Sequence, residues 1–565
     1  MCKGLHEGGP LIVNWYDKAI IYQIYPKSFQ DTNDDGIGDL QGVTKRLRYI
    51  KDMGFNTIWL NPIFVSPQVD NGYDVSNYFA IDPILGDTDD FSDMIEKAHK
   101  LGLHIILDLP INHTSDEHPW FKDAVNNANS IFRDYYIWHD AVDGHEPNNW
   151  GSFFGGSVWE KNPTNSNEYY FHLFDKKMPD LNWKNPEVQK SVAEIAKFWL
   201  EKGVDGFRLD AFIHIAKANL DQNSLMTNEK FPIDDTFYAK LPAVKDYMAG
   251  FVKEIKEYKP DAFLFGEASS AKARDAAEYT RPEGNVCDVV VNSDNYGEIY
   301  DDSNTDVPKF FQDRQLSLDS LKQTYVTWES VLDHVSLPTL TWGNHDISRV
   351  LDRLNLPVED DKVTKLLAML LFLQRGIPVV YYGEEIGMHG LKYQKITDFD
   401  DQRALDLIQS LRLKSYDDAA ILKLLNNQDE MTARGPMQWD DSQYHGFSTK
   451  QPWNWAQTDT NNVDQEITDD NSVMTFYRKL LRVKKHECFT SGSYQLLITD
   501  PKIYAYLRKT TESKGLVIAN FSDQKKTFVL PKAAWKSVLT NESIKKTGGT
   551  IELGPWGCCA LESRK

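Results

Sequence analysis

The sequence predicts an α/β fold: a (β/α)8 TIM barrel with an inserted small α+β domain after strand 3 and a C-terminal antiparallel β-sandwich domain. Three observations predict it. Short apolar runs alternate with amphipathic stretches, one long interruption separates the third run from the fourth, and the pattern changes near the C-terminal end. The chain has 565 residues, too many for one hydrophobic core, so two or three domains are expected.

Eight apolar, β-rich runs are the predicted barrel strands, and several precede a helical pattern, as at Asp90–Leu101 and Pro186–Lys202. A doubly wound sheet alternates in the same way, so the number of strands alone does not decide between the two folds. The predicted strands are Ile20–Ile24, Thr57–Leu60, Ile105–Leu109, Gly206–Leu209, Phe263–Gly266, Val289–Asn292, Leu337–Thr341 and Pro378–Tyr382.

Two stretches depart from this alternation and mark further domains. The segment from about Asn112 to Asn182 is rich in Asn, Gly, Trp and Phe, and its length indicates a domain because long structureless loops are uncommon. After about Lys484, short runs such as Ile503–Leu507, Leu516–Ile518 and Phe528–Leu530 alternate with turn residues, as in an antiparallel β domain. We therefore predict the barrel at 11–111 and 183–484, an inserted domain at 112–182 and a C-terminal β domain at 485–565.

Composition and charge limit the classes of partner. A net charge of −21 opposes nucleic acid and anionic membrane as partners and favours a neutral or cationic small substrate. The 15 Trp and 26 Tyr offer flat faces that suit sugar rings, although most such residues pack in cores. Five Cys without a Cys-x-x-Cys pair do not make a disulfide framework, so free thiols are expected.

The N-terminal segment and the hydropathy pattern bear on location. Residues Met1–Pro10 contain no apolar signal-peptide segment, and the longest apolar run, Leu366–Leu373, is too short to span a bilayer. We therefore expect a cytoplasmic protein, either a monomer or a homodimer, whose partner is a small-molecule substrate.

Residues that carry chemistry follow four of the predicted strands. In a TIM barrel the active site lies at the C-terminal ends of the strands. Arg208 lies two residues before Asp210, so both side chains point to the same side of a strand, and the guanidinium can keep that carboxylate ionised. The groups at the four strand ends are Asn112-His113, Asp210 with Arg208, Glu267, and Asn344-His345-Asp346.

Three acids that meet at one mouth are what hydrolysis of a glycosidic bond requires. One carboxylate attacks or stabilises the anomeric carbon, and a second, protonated, donates to the leaving oxygen. Taken singly, each acid is more simply explained as a solvated surface carboxylate and each histidine as a structural residue. The agreement of four strand ends weakens that simpler explanation.

At these positions the chain resembles the α-amylase family of glycoside hydrolases (family 13), and within it the oligo-1,6-glucosidase/α-glucosidase branch. The resemblance is strong from about Trp15 to Tyr477 and weak in the C-terminal β domain. The blocks that carry it are Asp108-Leu-Pro-Ile-Asn-His113, Gly206-Phe-Arg-Leu-Asp210, Phe265-Gly-Glu267, Asn344-His-Asp346, Asn71-Gly-Tyr-Asp74, Gly376-Ile-Pro378, Gly383-Glu-Glu385 and Arg434-Gly-Pro-Met-Gln-Trp439.

The resemblance implies a role for each matching residue. Asp210 would be the nucleophile that forms a covalent glucosyl-enzyme, Glu267 the general acid/base, and Asp346 the third acid that binds two sugar hydroxyls. The implied substrate-binding residues are His113 and His345 at hydroxyls, Arg208 beside Asp210, Tyr73 as a stacking platform, and Asp70 with Arg434 closing the pocket around the 4-hydroxyl. The closed pocket implies exo-acting release of glucose, the two displacements at one anomeric centre imply retention, and capture of the glucosyl-enzyme by another sugar implies transglucosylation as a side reaction.

The residue after the nucleophile, Ala211, bears on the linkage. In this branch, enzymes that prefer α-1,6 bonds resemble one another in having Val there, and a β-branched side chain narrows the aglycone site. Ala211 therefore favours maltose-like α-1,4 substrates, unless it is only a packing variation. Met178-Pro-Asp-Leu-Asn182 departs from the branch, which usually begins this block with Gln, and Trp342-Gly343 is also less usual.

Other functions remain open at this point. An oligo-1,6-glucosidase, a trehalose-6-phosphate hydrolase or a sucrose-converting transferase would use the same acids. The phosphate substrate would require a basic pocket, and the inserted domain shows no convincing Lys/Arg cluster. A non-catalytic relative is disfavoured because all three acids are present.

One loop carries a metal signal. Oxygen-bearing side chains alternate around Gly36, as in an EF-hand, but the twelfth position is Gly42 where an EF-hand has Glu. The resemblance implies a structural Ca²⁺ in this loop, and the simpler alternative is a solvated acidic loop. The implied ligands are Asp31, Asn33, Asp35, the backbone carbonyl of Ile37, and Asp39. No organic cofactor is expected.

Overall fold

A parallel barrel forms the centre of the computed structural model, which describes residues 14–564 except 228, 283–285, 292–296, 302, 355, 357–360, 457 and 459–460. The predicted (β/α)8 barrel is confirmed, and each of its strands lies within one or two residues of the predicted range where the chain is described. Its strands are β1 Ile21–Ile24, β2 Thr57–Leu60, β3 His104–Pro110, β4 Gly206–Asp210, β5 Phe263–Glu267, β6 Val289–Val291, β7 Thr339–Leu340 and β8 Ile377–Tyr381.

The order of the strands around the barrel is β6-β5-β4-β3-β2-β1-β8-β7, with parallel pairing throughout. The last gap is bridged by the Thr339 hydroxyl of β7, which donates a hydrogen bond to the Val290 carbonyl of β6 at 3.1 Å. The strands are buried on both faces, as expected of a parallel sheet covered by helices.

Amphipathic helices surround this barrel. The predicted helix at Pro186 begins there because Asn185 accepts a hydrogen bond from the Glu187 amide and the proline occupies the first turn. The predicted helix at Asp90 begins two residues earlier, at Thr88, because Asp87 caps it. The α-helices are Leu40–Met53, Thr88–Lys100, Pro119–Asn126, Pro186–Glu201, Ala243–Tyr258, Ala273–Thr280, Leu318–Leu332, Val350–Arg353, Asp361–Phe372, Gln402–Leu413, Asp418–Gln428, Val463–Glu466, Val473–Lys484 and Glu487–Thr490.

Smaller antiparallel sheets accompany the barrel. Between β3 and β4 lies a three-stranded sheet in the order Trp138–Asp140, Asn165–Phe171, Trp159–Asn162, which is the core of the predicted inserted domain. Two strand pairs, Phe64–Val65 with Asn77–Ile81 and Glu298–Tyr300 with Arg314–Leu316, lie in barrel loops.

The C-terminal region is an antiparallel β sandwich, as predicted. Apolar residues of both sheets, among them Ile518 and Phe528, share one core. One sheet has the order Ser493–Leu496, Ile503–Lys509, Ser513–Asn520, Cys558–Arg564, Lys536–Thr540, and the other the order Lys526–Val529, Thr550–Leu553, Lys545–Thr547. The domain boundaries proposed above stay predictions.

Two further expectations concern thiols and membranes. Cys287, Cys488, Cys558 and Cys559 are buried free thiols, as expected of a chain without a disulfide framework. None of the helices in the described part of the chain combines the length and apolar character that a bilayer crossing needs. The apolar run Leu366–Leu373 lies almost wholly within the helix Asp361–Phe372 and is buried in the protein core.

Candidate active site

The C-terminal ends of β3, β4 and β5 bring the predicted acids together. In the parallel register Asp108 lies beside Arg208, and Pro110 lies beside Asp210. The next pair, Leu209 with Gly266, places Glu267 one residue further along β5. Since side chains alternate along a strand, Asp108, Arg208 and Asp210 share one face, which is the inside of the barrel mouth.

Arg208 is the centre of the site. Its side chain is 1% exposed, and one guanidinium nitrogen, Nη1, binds Asp108 at 2.8 Å and also binds Asp210. The other nitrogen, Nη2, lies 2.9 Å from Glu267 Oε2 and 3.9 Å from Asp346 Oδ2. One guanidinium therefore contacts or closely approaches all three predicted catalytic acids, which places them at one cavity.

Ala211 forms a sharp turn immediately after Asp210. Its φ is +50°, a left-handed conformation that is uncommon for residues other than glycine. In this conformation the Ala211 amide donates a hydrogen bond to Glu267 Oε2 at 2.9 Å. The turn thus fixes the Glu267 carboxylate against the residue that follows the predicted nucleophile.

Four carboxylates lie around the single guanidinium of Arg208, and this excess of negative charge affects their pKa values. Burial raises the pKa of Asp210, while the Arg208 charge opposes the rise and the Glu267 and Asp108 charges add to it. Burial likewise raises the pKa of Asp108 to about 6, again against Arg208. Glu267 and Asp346 have side chains that are 18% and 39% exposed, so both remain open to a ligand in the cavity.

The two histidines are kept neutral. Burial lowers the pKa of His113 to about 4, and burial with the Arg208 and Arg434 charges holds the pKa of His345 well below its usual range. The Nε2 atom of His113 is buried without a protein hydrogen bond, and its predicted contact with a sugar hydroxyl stays a prediction. His345 already contacts Gln23 at 2.9 Å through Nδ1, and Asp346 at 3.0 Å and the Tyr73 hydroxyl through Nε2.

Tyr73 lies beside His345, with ring centroids 5.4 Å apart and planes 8° from parallel, and its hydroxyl contacts the edge of the imidazole at Nε2. Its hydroxyl donates to Asp108 Oδ2 at 2.8 Å and accepts from the Asn61 amide at 2.9 Å. The ring is 7% exposed, and its predicted role as a stacking platform for glucose stays a prediction.

Arg434 and Asp70 occupy the far side of the cavity. The Arg434 Nε donates to the His345 carbonyl at 2.8 Å, and Nη2 lies 3.5 Å from Glu430 and 3.9 Å from Asp346. Burial raises the pKa of Asp70 well above its usual range, and the Arg434 charge opposes this. Arg434 therefore influences Asp70 electrostatically, while its close carboxylate contacts are Glu430 and Asp346.

Several residues of the site escaped the sequence analysis. In the sequence Asp108 has no role beyond its place at the start of a motif, yet its carboxylate binds both Arg208 and Tyr73. The available signal was its position in β3: it lies two residues before Pro110, so both side chains are on the same face of the strand. Gln23 and Asn61 carry no such signal, because their roles arise from contacts with His345 and Asp108, which are distant in sequence. Glu430 lies only four residues before Arg434, so for this residue the local spacing was an available signal.

The block Met178-Pro-Asp-Leu-Asn182 joins the inserted domain to the barrel. Asp180 is fully buried, accepts a hydrogen bond from the Leu173 amide at 2.9 Å and pairs with Lys217 at 2.8 Å. Met178 is also fully buried. The departure at Met178 thus lies in packing beneath the cavity. Trp342 is likewise a buried packing residue whose indole donates to the Leu367 carbonyl at 3.0 Å.

The predicted calcium loop is folded by its own side-chain oxygens. Asn33 Oδ1 and Asp35 Oδ1 accept from the amides of Asp35 and Ile37 at 3.0 and 2.8 Å. Asp31 accepts from the Gly36 amide and the Ser448 hydroxyl, and Asp39 accepts from Thr32 and Gly42. In the described part of the chain, no three His, Cys, Asp or Glu side chains are placed to hold a metal ion. The oxygen donors suit Ca²⁺ in type, and the predicted set also includes the Asn33 amide oxygen and the Ile37 carbonyl, so calcium stays a prediction.

Comparisons with known proteins agree with the geometry. The family model for the alpha amylase catalytic domain matches residues 23–492, and the model for the maltogenic amylase C-terminal domain matches residues 494–559. The chain is 37% identical over 531 residues to an oligo-1,6-glucosidase of Parageobacillus thermoglucosidasius, covering 92% of each protein. It is 35% identical over 570 residues to a trehalose-6-phosphate hydrolase of Bacillus subtilis (strain 168), covering 96% of this chain and 97% of the relative. A solved structure described as a family GH13_31 enzyme has a TM-score of 0.89 and 45% identity, and covers 98% of this chain and 100% of that one.

Proposed function

The chain belongs to the alpha-amylase family of glycoside hydrolases, and we propose that it is a retaining, exo-acting α-glucosidase that releases glucose from the non-reducing end of short α-glucosides. The observation that carries this proposal is the Arg208 guanidinium, which contacts Asp210 through Nη1 and Glu267 through Nη2. Two carboxylates held this close together suit a double displacement, because retaining enzymes need the nucleophile and the acid/base within about 5–5.5 Å.

In the proposed chemistry each of the two carboxylates has one role. Asp210, paired with Arg208, attacks C1 of the sugar as the C1–O bond breaks, and Glu267 gives its proton to the leaving oxygen. A glucosyl ester of Asp210 results. Glu267 then takes a proton from water, the water oxygen attacks C1, and the ester bond to Asp210 breaks. Two inversions leave the α configuration unchanged, and a sugar in place of water gives transglucosylation.

We further propose that α-1,4 bonds are preferred. Ala211 is 4% exposed and lies between Asp210 and the Glu267 carboxylate, so its methyl group leaves more room for the aglycone than a branched side chain would. Hydrolysis of α-1,6 bonds is the second candidate, since the relatives at 34–37% identity include several oligo-1,6-glucosidases.

The Arg434 side of the cavity suits a neutral sugar ring. The groups that act on one another there include Asp70, Asp346, Asp401, Asp429 and Glu430, against Arg403 and Arg434. This surplus of carboxylates would repel a phosphate from this end of the pocket, so in a phosphorylated disaccharide the unphosphorylated ring is the one expected here.

The test compares the wild-type protein with Asp210→Asn. Glucose release from maltose, isomaltose, sucrose, trehalose and trehalose 6-phosphate is followed over time, and the anomer first released is identified by NMR. We expect α-glucose, fastest from maltose, and no turnover by Asp210→Asn in a protein that remains folded. Near-normal turnover by the variant, or first release of β-glucose, would refute the proposed mechanism.

A further inference from the structure

The segment that carries Asp70 and Tyr73 has an unusual backbone. Gln68, Asn71 and Gly72 have φ values of +67°, +49° and +112°. Glycine tolerates this left-handed region, asparagine tolerates it less well, and glutamine rarely adopts it. Such a segment keeps one conformation only where its surroundings hold it.

Lys27 holds this segment on both sides of Asp70. Its Nζ donates hydrogen bonds to Gln68 Oε1 at 3.1 Å and to Asn71 Oδ1 at 3.0 Å. Gln68 and Asn71 are the two left-handed residues of the segment that are not glycine, so the lysine binds the positions where the backbone most needs support. Burial and the Arg434 charge lower the pKa of Lys27 to about 8, so the ammonium form predominates at neutral pH, and both bonds are then charge-assisted and stronger than neutral ones.

On its other side, Lys27 packs against the Trp453 ring. Its side chain is 9% exposed, and its Nζ lies 4.1 Å from the centre of the Trp453 ring, a distance typical of a cation–π contact. The Trp453 indole donates to the Ser28 hydroxyl at 3.0 Å, and that hydroxyl donates to the Arg434 carbonyl at 2.7 Å. Lys27 therefore stands between the segment that carries Asp70 and the segment that carries Arg434.

We propose that Lys27 is a positioning residue of the glucose pocket, which fixes the backbone of residues 68–73 so that Asp70 and Tyr73 keep their places at the sugar ring. The inference deepens the proposed function and rests on it for the contact of Asp70 with sugar. Lys27 acts through these residues, because its ammonium group is already engaged by two amide oxygens and an indole face.

The main experiment substitutes Lys27→Met. Lys202→Met is the matched control, since Lys202 also lies over an aromatic ring, 5.5 Å from Phe198, but is exposed at the end of the helix Pro186–Glu201. The measurements are kcat and KM for 4-nitrophenyl α-glucoside, and the Kd for glucose by calorimetry. We expect Lys27→Met to raise KM and the glucose Kd about tenfold or more with a smaller change in kcat, Lys27→Arg to recover most of this loss, and the control to match the wild type.

A double-mutant cycle separates positioning from a general structural role. If Lys27 acts through Asp70, the Lys27→Met and Asp70→Asn losses will not multiply in the double variant. Unchanged KM and glucose Kd in Lys27→Met, or losses that multiply, would overturn the inference.

Should Lys27→Met fail to fold, Asn71→Gly keeps the left-handed backbone and removes one oxygen that Lys27 binds. This variant should raise the glucose Kd, and an unchanged Kd would overturn the inference. Glucose binding requires no turnover, so a wild-type protein that hydrolyses no α-glucoside would refute the proposed function without deciding the role of Lys27.

Discussion

Removing the guanidinium of Arg208 is the most informative perturbation of this site. In Arg208→Met the buried carboxylates of Asp108 and Asp210 lose their shared cation, and Glu267 loses a partner at 2.9 Å. At an effective dielectric constant of about 20, one pair at that distance is worth about 6 kcal/mol before desolvation is counted. Breaking a buried pair usually costs about 3–5 kcal/mol in the free energy of unfolding, and we expect a loss in that range.

The loss of the Arg208 guanidinium should also change how kcat/KM depends on pH. Arg208 opposes the burial that raises the pKa of Asp210, so that pKa rises further without it. The reason is that the charged form of Asp210 loses its nearest cation. Asp210 attacks as the ionised form, so the acidic limb of kcat/KM moves to higher pH.

The free energy of unfolding of Arg208→Met should also depend on pH differently from that of the wild type. A carboxyl group with a raised folded-state pKa stabilises the fold below its unfolded pKa of about 3.9, and this contribution is lost as the pH rises through the folded value. For Asp108 the folded pKa is about 6. In Arg208→Met the folded pKa values of Asp108 and Asp210 rise further, so the free energy of unfolding should fall more steeply with pH than in the wild type.

The assay is a pH profile of kcat/KM for 4-nitrophenyl α-glucoside, with urea unfolding at several pH values. Arg508→Met is the control, since Arg508 is fully buried and paired with Glu329 at 2.5 Å in the contact between the barrel and the C-terminal sheet. It should cost stability and leave the acidic limb in place. An Arg208→Met protein that retains the wild-type limb would show that the guanidinium does not control the ionisation of Asp210.

Three further predictions concern the linkage, the inserted domain and the metal. Ala211→Val should shift the ratio of maltose to isomaltose hydrolysis towards isomaltose and lower the free energy of unfolding by about 1–3 kcal/mol, because a β-branched residue is strained at φ +50°; an unchanged product ratio contradicts the assigned role. Lys217→Met should cost about 3–5 kcal/mol in urea unfolding, since it leaves Asp180 buried and unpaired, and adding Asp180→Leu should recover part of that loss; full stability of the single variant contradicts this. If Ca²⁺ binds the loop 31–39, EGTA should lower Tm, with about 2.7 kcal/mol lost relative to a concentration one hundred times Kd, and Asp35→Ala should remove the response; equal Tm values with and without calcium contradict the prediction.

The barrel and its acids were predictable because each depends on a local pattern. A parallel strand buried on both faces is a continuous apolar run, and the acids of β4 and β5 stand directly at the ends of such runs. The contacts that tune the site were not predictable in this way. Gln23 reaches His345, and Asn61 reaches Asp108, only after the barrel strands have come together, and a single Gln or Asn in the sequence carries no trace of that.

The calcium loop shows the opposite difficulty. Its pattern of alternating oxygen-bearing residues is plain in the sequence, yet such residues also form Asx turns, in which the side-chain oxygen accepts from an amide two residues later. Asn33 and Asp35 do so here. Because one pattern serves both purposes, residue spacing alone cannot separate a metal loop from a loop that is folded by its own hydrogen bonds.

The register of the barrel turns separate motifs into one site. Asp108 lies beside Arg208 in the pairing of β3 with β4, and Leu209 lies beside Gly266 in the pairing of β4 with β5. A slip of one residue between β4 and its neighbours would turn Arg208 and Asp210 from the barrel interior towards the helices, because side chains alternate along a strand. The buried Phe207 and Leu209, which alternate with Arg208 and Asp210 along β4, oppose such a slip, since it would exchange apolar and charged side chains between the two faces. The apolar pattern that selects the fold therefore also selects the register that brings Asp210 and Glu267 to one guanidinium.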